Sequence, residues 1–507
     1  MYCVLARLKT SKLNTVMKIF YYWNVPYIVT LFFRMNVIHL SAECYPVAKV
    51  GGLADVVGAL PKYLCRAGIK ASVVLPYYDR KFVRDHVFEN VFEGFGKLGH
   101  RKFDFSILKE TTNVLGFELY LIHIPGLLDR QEVYAYPDEI EQFVAFQLAF
   151  LEWMVQAGIK PDVIHCHDHH TGLIPFLVLY SYRYNSLKNI PTVCTIHNGE
   201  YQGWLGWDKL SYLPEIDLSK SGFLDWGGCI NSLATSVKCC WKFTTVSPSY
   251  LEELSLNSNG LESLFVMEKQ KGYGILNGID SEVWNPDTDP LIEEHYNLQT
   301  VKKGKEVNKK LLCKEFGLSD KLPLFVFIGR LVVEKGADLL PQVIDQVCTL
   351  HKKKVNILVL GSGELDIEQE LRLIQKKHSN QFGLYIGYDE ALAHRLYASA
   401  DFIVMPSRVE PCGLNQLYSL RYGTMPIVNT TGGLKDTVID FELPDGYGIC
   451  FLNTDEASVV EALNRAVELF ANNTLLEELQ QKMMSLDFSW DKSAKQYIAL
   501  YKTLTKL

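Results

Sequence analysis

Several features that would assign the chain to a common class are missing from its 507 residues. Lysine and arginine total 51 against 58 aspartates and glutamates, for a net charge of −7, so the sequence carries no basic footprint of a nucleic-acid-binding protein. The Gly-x-Gly-x-x-Gly fingerprint of nicotinamide-dependent oxidoreductases is absent, because its nearest fragment, Gly361 and Gly363, lacks the third glycine. The 12 cysteines include no Cys-x-x-Cys pair. Buried, reduced thiols in a cytoplasmic protein are therefore the simplest interpretation.

The first 34 residues do not match the remainder of the chain. Residues 20–33 are apolar and aromatic, but Asn24 and Pro26 interrupt them, and the run is shorter than the ~20 residues of a spanning helix. No small-residue cleavage site follows, so a secretory signal is poorly supported. We expect residues 1–34 to be an upstream extension outside the fold. A membrane-associating or targeting segment is the alternative.

The remaining length is too great for one typical core and predicts two domains of roughly 200–250 residues. Short apolar runs alternate with helical patterns in the first half, with antiparallel strands inserted at 87–118, and the alternation begins again in the second half. Such alternation is typical of parallel sheets covered by helices on both faces, so we predict an α/β fold with two doubly wound, Rossmann-like domains. The predicted strands are residues 37–40, 71–76, 119–124, 163–165, 192–196 and 243–246 in the first half, and 324–329, 355–360, 402–405 and 425–428 in the second.

Changes in composition suggest where the domains divide. Glycine, proline, aspartate and asparagine accumulate over residues 274–290, so we predict a first domain at 35–275 and a second at 276–487. Residues 488–507 predict an amphipathic helix. The lysine-rich run at 302–310 is interpreted as a solvated linker or helix face.

The run KVGGLAD at residues 49–55 lies between a predicted strand and a helical pattern. Glycine lets the backbone approach an anion closely, and the first turn of a helix presents N–H groups and a partial positive charge. Lys49 adds a full cation. We therefore predict a phosphate-facing loop, although paired glycines are also common in ordinary tight turns.

Polar groups follow predicted strands in both halves of the chain. Open parallel sheets bind ligands at the carboxyl ends of their strands, so groups from both halves predict a site in the cleft between the domains. The candidate side chains are those of Asp168, His197, Asn277, Arg330, Lys335 and Glu410.

Other interpretations of these segments stay open at this point. The HCHDHH run at 165–170 has the residue types of a metal site, but consecutive residues after a strand cannot all point inward. Asp287 and Asp289 are similar to the acidic pair that holds a divalent ion in some sugar transferases. We predict no metal site. For Arg330 and Lys335 the alternative is an ordinary pair of surface residues, and for Glu410 it is the acidic first turn of a helix.

Together with their flanks, these motifs resemble the bacterial glycogen synthases and plant starch synthases, from about Met35 to Trp490. The resemblance implies the GT-B arrangement, in which two Rossmann-like domains enclose a cleft and the final helix crosses back to the first domain. It implies transfer of glucose from ADP-glucose to the non-reducing end of an α-1,4-glucan, with retention, in glycogen biosynthesis. Val50, His169 and Asn415 depart from the family pattern and leave the acceptor preference in doubt. The specific segments are residues 49–53, 167–173, 274–280, 406–414, 422–424 and 431–434.

The resemblance also implies roles for individual residues. The implied catalytic set is Glu410, His197, Arg330, Lys335 and Asp168. The implied donor-binding set is Lys49, Gly51, Gly52, Asn277, Arg330, Lys335, Tyr388, Cys412, Gly413 and Leu414, with Glu43 and Asp55 in support of the glycine loop.

Within these sets, Arg330 and Lys335 would neutralise the leaving diphosphate in place of a metal, since developing charge is best stabilised by fixed cations in a dry cleft. Tyr388 would stack on the adenine, and Glu410 would bind glucose hydroxyls. No cofactor is implied besides the substrates, ADP-glucose and an α-glucan such as glycogen, and neither nucleic acid nor a membrane is a predicted partner. No second carboxylate is evident opposite Glu410, so front-face substitution fits retention better than a covalent intermediate.

Three other functions were weighed against this one. A retaining GT-B transferase that uses UDP-glucose or a small acceptor is the nearest, and the loop at 49–53 with its flanks favours a glucan synthase instead. An oxidoreductase is disfavoured by the missing glycine fingerprint. A catalytically inactive carbohydrate-binding protein predicts loss of Lys49, Arg330, Lys335 or Glu410, and all four are present.

Overall fold

The computed structural model describes residues 35–352 and 354–505, so the interpretation of residues 1–34 as an extension lies outside the described residues. In the first half, strands build one large and one small sheet. They are β1 (Asn36–Leu40), β2 (Lys70–Pro76), β3 (Phe88–Leu98), β4 (Arg101–Glu110), β5 (Glu118–His123), β6 (Val163–His167), β7 (Thr192–Ile196), β8 (Trp204–Leu205), β9 (Asp225–Trp226), β10 (Cys229–Asn231), β11 (Lys242–Thr245) and β12 (Gly272–Gly274).

The large first sheet has the strand order β12-β11-β7-β6-β1-β2-β5-β4-β3. Its neighbours are parallel except at an inserted hairpin, where β4 runs antiparallel to both β3 and β5. The predicted antiparallel insertion is therefore confirmed. Strands β6 and β7 are buried along their whole length, as expected for strands covered on both faces. The small sheet, β8-β10-β9, is antiparallel.

The second half contains an all-parallel sheet in the order β15-β14-β13-β16-β17-β18. This is the 3-2-1-4-5-6 order of a doubly wound fold, and the first sheet repeats it as β5-β2-β1-β6-β7-β11. The predicted class, two Rossmann-like α/β domains, is confirmed. The strands are β13 (Leu324–Ile328), β14 (Asn356–Gly361), β15 (Phe382–Ile386), β16 (Phe402–Met405), β17 (Met425–Asn429) and β18 (Ile449–Phe451).

Sixteen α-helices in the described residues connect and cover these sheets. Most of the longer ones are amphipathic and take most of their stability from burying one face, whereas the longest, Glu139–Gln156, is buried on all sides over residues 142–154. They are α1 (Gly52–Arg66), α2 (Lys81–Asp85), α3 (Glu139–Gln156), α4 (Ile174–Tyr180), α5 (Ser232–Cys239), α6 (Pro248–Glu253), α7 (Glu262–Met267), α8 (Val301–Glu315), α9 (Leu340–Leu350), α10 (Leu365–Lys377), α11 (Glu390–Ser399), α12 (Asn415–Arg421), α13 (Gly432–Thr437), α14 (Glu456–Phe470), α15 (Asn473–Met484) and α16 (Trp490–Leu504).

The last helix, α16, packs against the first domain although it follows the second domain in the chain. Trp490 and Tyr497 join a buried cluster with Leu60 of α1 and Val37 of β1. Where the chain leaves the first domain and where it returns, the two segments pair: Ile279 donates its N–H to the carbonyl of residue 488 at 2.8 Å and accepts from Trp490 N at 3.3 Å. Both crossings between the domains therefore lie side by side.

The strands predicted from apolar runs are all present, with ends shifted by at most two residues. Strands β8, β9, β10, β12, β15 and β18 were not predicted. All of them except β15 have only two or three residues, and Gly383 interrupts the apolar run of β15. Such short segments lack the length that periodicity needs.

The interpretation of residues 302–310 as a solvated charge run is wrong for two of its lysines. The run lies in α8, where Lys305 and Lys309 are buried. Lys309 pairs with the buried carboxylate of Asp401 at 2.6 Å. Lys305 Nζ donates to the carbonyl oxygens of Tyr397 and Tyr422, each at 3.1 Å, and to a threonine hydroxyl in the same turn. A lysine in a highly charged segment can thus be buried and donate hydrogen bonds inside the protein.

Two general expectations can be compared with the described residues. Every cysteine among them is a free thiol, as predicted, and most are buried. None of the helices in residues 35–352 and 354–505 is both long and apolar enough to cross a membrane.

The Lys305 network generates a stability prediction. Lys305→Met removes the buried hydrogen bonds from Lys305 to two carbonyl oxygens and a threonine hydroxyl, so we expect a loss of about 2 kcal/mol of folding free energy. That loss corresponds to a fall of about 4–8 °C in the thermal unfolding midpoint, measured by calorimetry. The matched control is Lys303→Met, at an exposed position of the same helix, which should shift the midpoint little. Equal midpoints for the two variants would show that the buried hydrogen bonds of Lys305 do not stabilise the fold.

Candidate active site

Residues that follow strand ends in both domains line one large cleft with a cavity volume of about 1010 Å³. Loops after β1 and β6 contribute from the first domain, and loops after β13 and β16 from the second. In each sheet the strand order reverses between these two strands, which is the place where open parallel sheets bind ligands. Every site residue proposed from the sequence lines the cleft: Glu43, Lys49, Gly51, Gly52, Asp55, Asp168, His197, Asn277, Arg330, Lys335, Tyr388, Glu410, Cys412, Gly413 and Leu414.

The glycine loop is organised by a carboxylate of the protein itself. Glu43 Oε2 accepts hydrogen bonds from Val50 N at 2.6 Å and Gly51 N at 2.9 Å, and Glu43 Oε1 accepts one from the Tyr134 hydroxyl at 2.6 Å. The Gly51 amide, expected to face a bound anion, is thus bonded to Glu43 instead. A buried carboxylate needs such donors, and they fix the shape of the loop.

Gly51 and Gly52 leave open space in the cleft wall. A Cβ built on either glycine would meet no atom within 4 Å, so the packing of the protein does not require glycine here. Beside them, Lys49 Nζ donates to Asp55 Oδ1 at 2.7 Å. Burial raises the pKa of Asp55, although the Lys49 cation opposes the shift. The glycine loop therefore leaves space for a ligand, beside the Lys49 ammonium that is paired with Asp55.

Glu410 is buried in the wall formed by the second domain. Lys335 Nζ donates to both of its carboxylate oxygens at 2.7 Å, and Ser407 Oγ donates to one of them at 2.9 Å. Gly336 permits the close approach of the two loops, because its φ is 68° and a Cβ there would lie 2.1 Å from the Pro406 carbonyl oxygen. The loops after β13 and β16 are therefore joined at Glu410.

Arg330 is the second cation of this wall and is more exposed. Its guanidinium lies 3.6 Å from the Glu334 carboxylate, with a little over half of the side chain accessible to solvent. An exposed ion pair of this kind contributes little to stability. The guanidinium of Arg330 can therefore turn to an anionic ligand at small cost.

Asp168 and His197 face these cations from the first domain. Asp168 directly follows β6 with a φ of 55°, a strained conformation for a residue other than glycine. Its Oδ1 accepts a hydrogen bond from His197 N at 2.7 Å. Burial raises the pKa of Asp168 to about 7, against the lowering effect of that amide. Strain and a shifted pKa in a cleft are typical of a functional carboxyl group.

Tyr388 lies at the mouth of the cleft and is 72% exposed, as a stacking platform requires. Its hydroxyl donates to Glu390 Oε2 at 3.3 Å, and the hydroxyl of Tyr45 from the first domain donates to Glu390 Oε1 at 3.4 Å. Although most of the side chain is exposed, partial desolvation of the hydroxyl and the charge of Glu390 raise the pKa of Tyr388. Two tyrosines from opposite walls thus meet at one carboxylate.

The segment 412–414 forms the floor beside Glu410. Burial raises the pKa of the Cys412 thiol to about 12, so this cysteine is not a nucleophile. Gly413 adopts a φ of 73°, a left-handed conformation that favours glycine. Asn415 Nδ2 donates to the Ile328 carbonyl oxygen at 2.6 Å and ties the segment to the end of β13. Asn277, at the seam of the domains, lines the same floor.

The side chains of the two possible metal sites, the histidine run at 165–170 and Asp289, make hydrogen bonds within the described part of the protein. Strand β6 extends to His167, so His165 and His167 lie in the core and not at the cleft edge. Nitrogens of these rings and of His39 lie within 4.8 Å of one another, but they take part in hydrogen bonds within the protein. Asp289 is buried and accepts a hydrogen bond from His394 Nδ1 at 2.7 Å. It belongs to the core of the second domain.

Several groups in the cleft were not predicted from the sequence. Ser407 lies three residues before Glu410, inside a motif that had been singled out, and its spacing was the available signal. Glu390 closely follows Tyr388 at the start of a helix. Tyr134 contacts Glu43 from 91 residues away, and no local pattern announces such a contact.

A contact between the helices α6 and α13 holds the two domains together at one side of the cleft. Asp436 accepts hydrogen bonds from Ser249 N at 2.8 Å and Ser249 Oγ at 2.7 Å. Glu253 accepts one from Gly432 N at 2.7 Å. The next amide, of Gly433, donates to the Glu410 carbonyl oxygen at 3.0 Å. We call this set of contacts the interdomain latch.

The latch generates a prediction about domain arrangement. Asp436→Ala removes two hydrogen bonds between the domains, worth about 2 kcal/mol, which shifts the balance towards separated domains roughly 30-fold. Small-angle X-ray scattering should show a larger radius of gyration. Glu252→Ala, at an exposed position of α6, is the matched control and should leave the scattering unchanged. Identical curves for both variants would show that the latch does not hold the domains.

Comparisons with known proteins agree with this geometry. A model of the starch synthase catalytic domain matches residues 36–266, and a model of glycosyl transferases group 1 matches residues 308–483. The two matches fall on the two sheets described above. The glycogen synthase of Flavobacterium johnsoniae is 52% identical over 470 residues, covering 93% of this chain and 99% of that protein. The glycogen synthase of Geobacillus stearothermophilus is 36% identical over 485 residues, covering 93% and 98%.

Solved structures give the same result. The catalytic domain of starch synthase IV from Arabidopsis thaliana, bound to ADP and acarbose, is similar with a TM-score of 0.85 and 34% identity, covering 93% of this chain and 99% of that one. Sucrose-phosphate synthase from Thermosynechococcus elongatus is similar with a TM-score of 0.60, but at 17% identity this match shows the fold alone. The resemblance inferred from the motifs is confirmed: the chain is a glycosyltransferase and belongs to the family of the glycogen and starch synthases.

Proposed function

We propose that the protein transfers glucose from ADP-glucose to the non-reducing end of an α-1,4-glucan, with retention at the anomeric carbon, and that it needs no metal. The observation that carries the proposal is the Lys335–Glu410 pair, 2.7 Å apart in a cleft that also holds Arg330 and Asp168. The related starch synthase IV, bound to ADP and acarbose, supports a nucleotide and a glucan as ligands of such a cleft.

The two cations of the second domain suit the leaving diphosphate. Lys335 is held against Glu410, so its ammonium is fixed in position before a ligand arrives. Arg330 is more exposed and has a forked donor arrangement that matches phosphate oxygens. Fixed positive charge in an enclosed cleft stabilises the negative charge that develops on a leaving group. This is the part that a divalent metal plays in other transferases.

The carboxylates suit the glucose. Glu410 already accepts three hydrogen bonds from Lys335 and Ser407, and its remaining acceptor capacity suits sugar hydroxyls. Asp168 lines the cleft from the first domain, where a negative charge stabilises an oxocarbenium-like transition state. Tyr388 offers an exposed ring for the nucleotide base.

The proposed reaction is a front-face substitution. The bond from C1 of glucose to the phosphate oxygen breaks, and a bond from the acceptor hydroxyl oxygen to C1 forms on the same face. The proton of that hydroxyl passes to an oxygen of the departing ADP. No residue needs to form an ester with glucose, and Cys412, the nearest thiol, is held protonated by burial.

The charge of Lys335 can be tested separately from its hydrogen bond. Lys335→Gln keeps a donor near Glu410 but removes the cation, so we expect kcat for glucose incorporation into glycogen to fall by about 10²–10³-fold. Lys376→Gln, at an exposed position of α10, is the control. ADP-glucose and UDP-glucose are compared in parallel, with and without EDTA. No incorporation from either donor by folded wild-type protein would refute the proposed function, and a loss in EDTA would refute its metal independence.

The pKa of Asp168 predicts a pH dependence. Its carboxyl group is charged above about pH 7 and neutral below, so kcat/KM should rise with pH through about 7 and then level. Asp168→Asn has no charge to gain, and we expect a kcat/KM lower by at least about tenfold above pH 7, without this limb. A variant that keeps the limb at the same pH would assign the titration to another group.

A further inference from the structure

A row of buried histidine side chains crosses the mostly apolar core of the first sheet. The rings of His165 and His167 in β6 and of His39 in β1 stack against one another, with centroids 4.4–5.4 Å apart. All three side chains are fully buried. Strands of a parallel sheet with both faces covered are normally almost wholly apolar, so such a row needs a physical explanation.

Two hydrogen-bond paths start from this row. His165 bonds through its two ring nitrogens to the Tyr501 hydroxyl and the Thr195 hydroxyl, each at 2.6 Å, and this path stays inside the core. The other path leads to the cleft. His39 Nδ1 lies 3.1 Å from His167 Nε2, and His167 Nδ1 lies 3.0 Å from His197 Nε2. We call this second path the histidine chain.

All three rings of the histidine chain are neutral at physiological pH. Burial lowers the pKa of His39 and of His197 to about 3, and it lowers the pKa of His167 well below its usual range. A neutral imidazole has one N–H donor and one acceptor nitrogen. With two hydrogen bonds in series, only two arrangements of the protons satisfy both bonds.

The two arrangements differ at both ends of the chain. In the first, His39 Nδ1 donates to His167, His167 Nδ1 donates to His197, and His197 carries its proton on Nδ1. In the second, every proton is on the other nitrogen, so His197 Nδ1 is an acceptor. His197 Nδ1 bonds no described protein atom, and His197 lines the cleft. The arrangement therefore decides whether the cleft receives a donor or an acceptor.

The buried end of the chain selects between them. His39 Nε2 is enclosed and has no hydrogen-bond partner among the described residues. The second arrangement would leave an N–H there, whereas the first leaves only a lone pair. Buried N–H groups without an acceptor are rarer in proteins than acceptors without a donor. This difference favours the first arrangement.

We propose that His39 is a positioning residue which, through His167, fixes the proton of His197 on Nδ1 and makes that nitrogen a hydrogen-bond donor to an oxygen of the bound sugar. The proposal rests on the proposed function, since it concerns the same cleft. It explains why a polar chain crosses an apolar core: the chain sets the hydrogen-bonding character of a ring that reaches the substrate.

Three substitutions of His39 test two things separately: whether the histidine chain affects His197, and in which direction its hydrogen bonds run. His39→Asn can place an amide N–H near the position of Nδ1, so its kcat should stay within about threefold of the wild type. His39→Leu breaks the chain and should lower kcat by about 3–10-fold, with KM for ADP-glucose changed less. His39→Asp is similar in shape to the Asn variant, but its ionised carboxylate only accepts. Measured at a pH where this carboxylate is ionised, it should reverse the chain and lower kcat by about 30-fold or more.

His165→Leu is the matched control. It makes the same substitution in the same buried row but leaves the histidine chain intact, so it should lower the thermal midpoint while kcat stays within about twofold of the wild type. If His39→Leu and His165→Leu lower kcat equally, the role of His39 is only structural. If His39→Asp retains kcat, the proposed polarity is wrong.

Neutron diffraction from deuterium-exchanged crystals reads the proton directly, which X-ray data at ordinary resolution do not. Deuterium on His197 Nδ1 and His39 Nδ1 is the expected result, and deuterium on His39 Nε2 would overturn the proposal. This measurement does not depend on turnover. A wild-type protein with no glucosyl transfer but with deuterium on His197 Nδ1 would therefore refute the proposed function while preserving the proton arrangement.

Discussion

The arrangement of the cleft depends on one constraint: a carboxylate withdrawn from water must find donors within the protein. Glu43 meets it with two amides of the glycine loop, and so gives the loop its shape. Asp168 meets it with the amide of His197, and so fixes the backbone of that residue. Glu410 meets it with Lys335, and so joins two loops of the second domain. Each acid thereby organises the segment that faces it, and the walls of the cleft have a defined form.

The same groups connect the cleft to the relation between the domains. The interdomain latch bonds Glu253 to Gly432, and the neighbouring amide of Gly433 bonds the carbonyl of Glu410. Movement of α6 relative to α13 therefore acts on the segment that carries Glu410. At the other side of the cleft, Tyr45 and Glu390 meet across the mouth. The position of the Glu410 carboxylate and the separation of the domains are thus not independent.

The sequence predicted the fold class and the location of the site because both depend on local signals. Apolar runs mark buried strands, and polar residues directly after them mark the strand ends that bind ligands. Partners distant in the chain could not be predicted this way. Tyr134 reaches Glu43 through the tertiary fold, and Lys305 looks like any exposed lysine until α8 packs against the second sheet. The protons of the histidine chain likewise depend on His39, and no local sequence pattern connects His39 with His197.

The pairing of Ile279 with the segment before Trp490 has a consequence for how such proteins can be rebuilt. The chain leaves the first domain and returns to it at two adjacent segments, which are joined by the β-bridge between Ile279 and Ser489. In topology, the second domain is therefore an insertion into the first, and the first domain resumes at α16. Replacing the second domain with that of a relative would change the chain at only two adjacent junctions. The chain path of the first domain would stay the same. The two domains can therefore be recombined as modules.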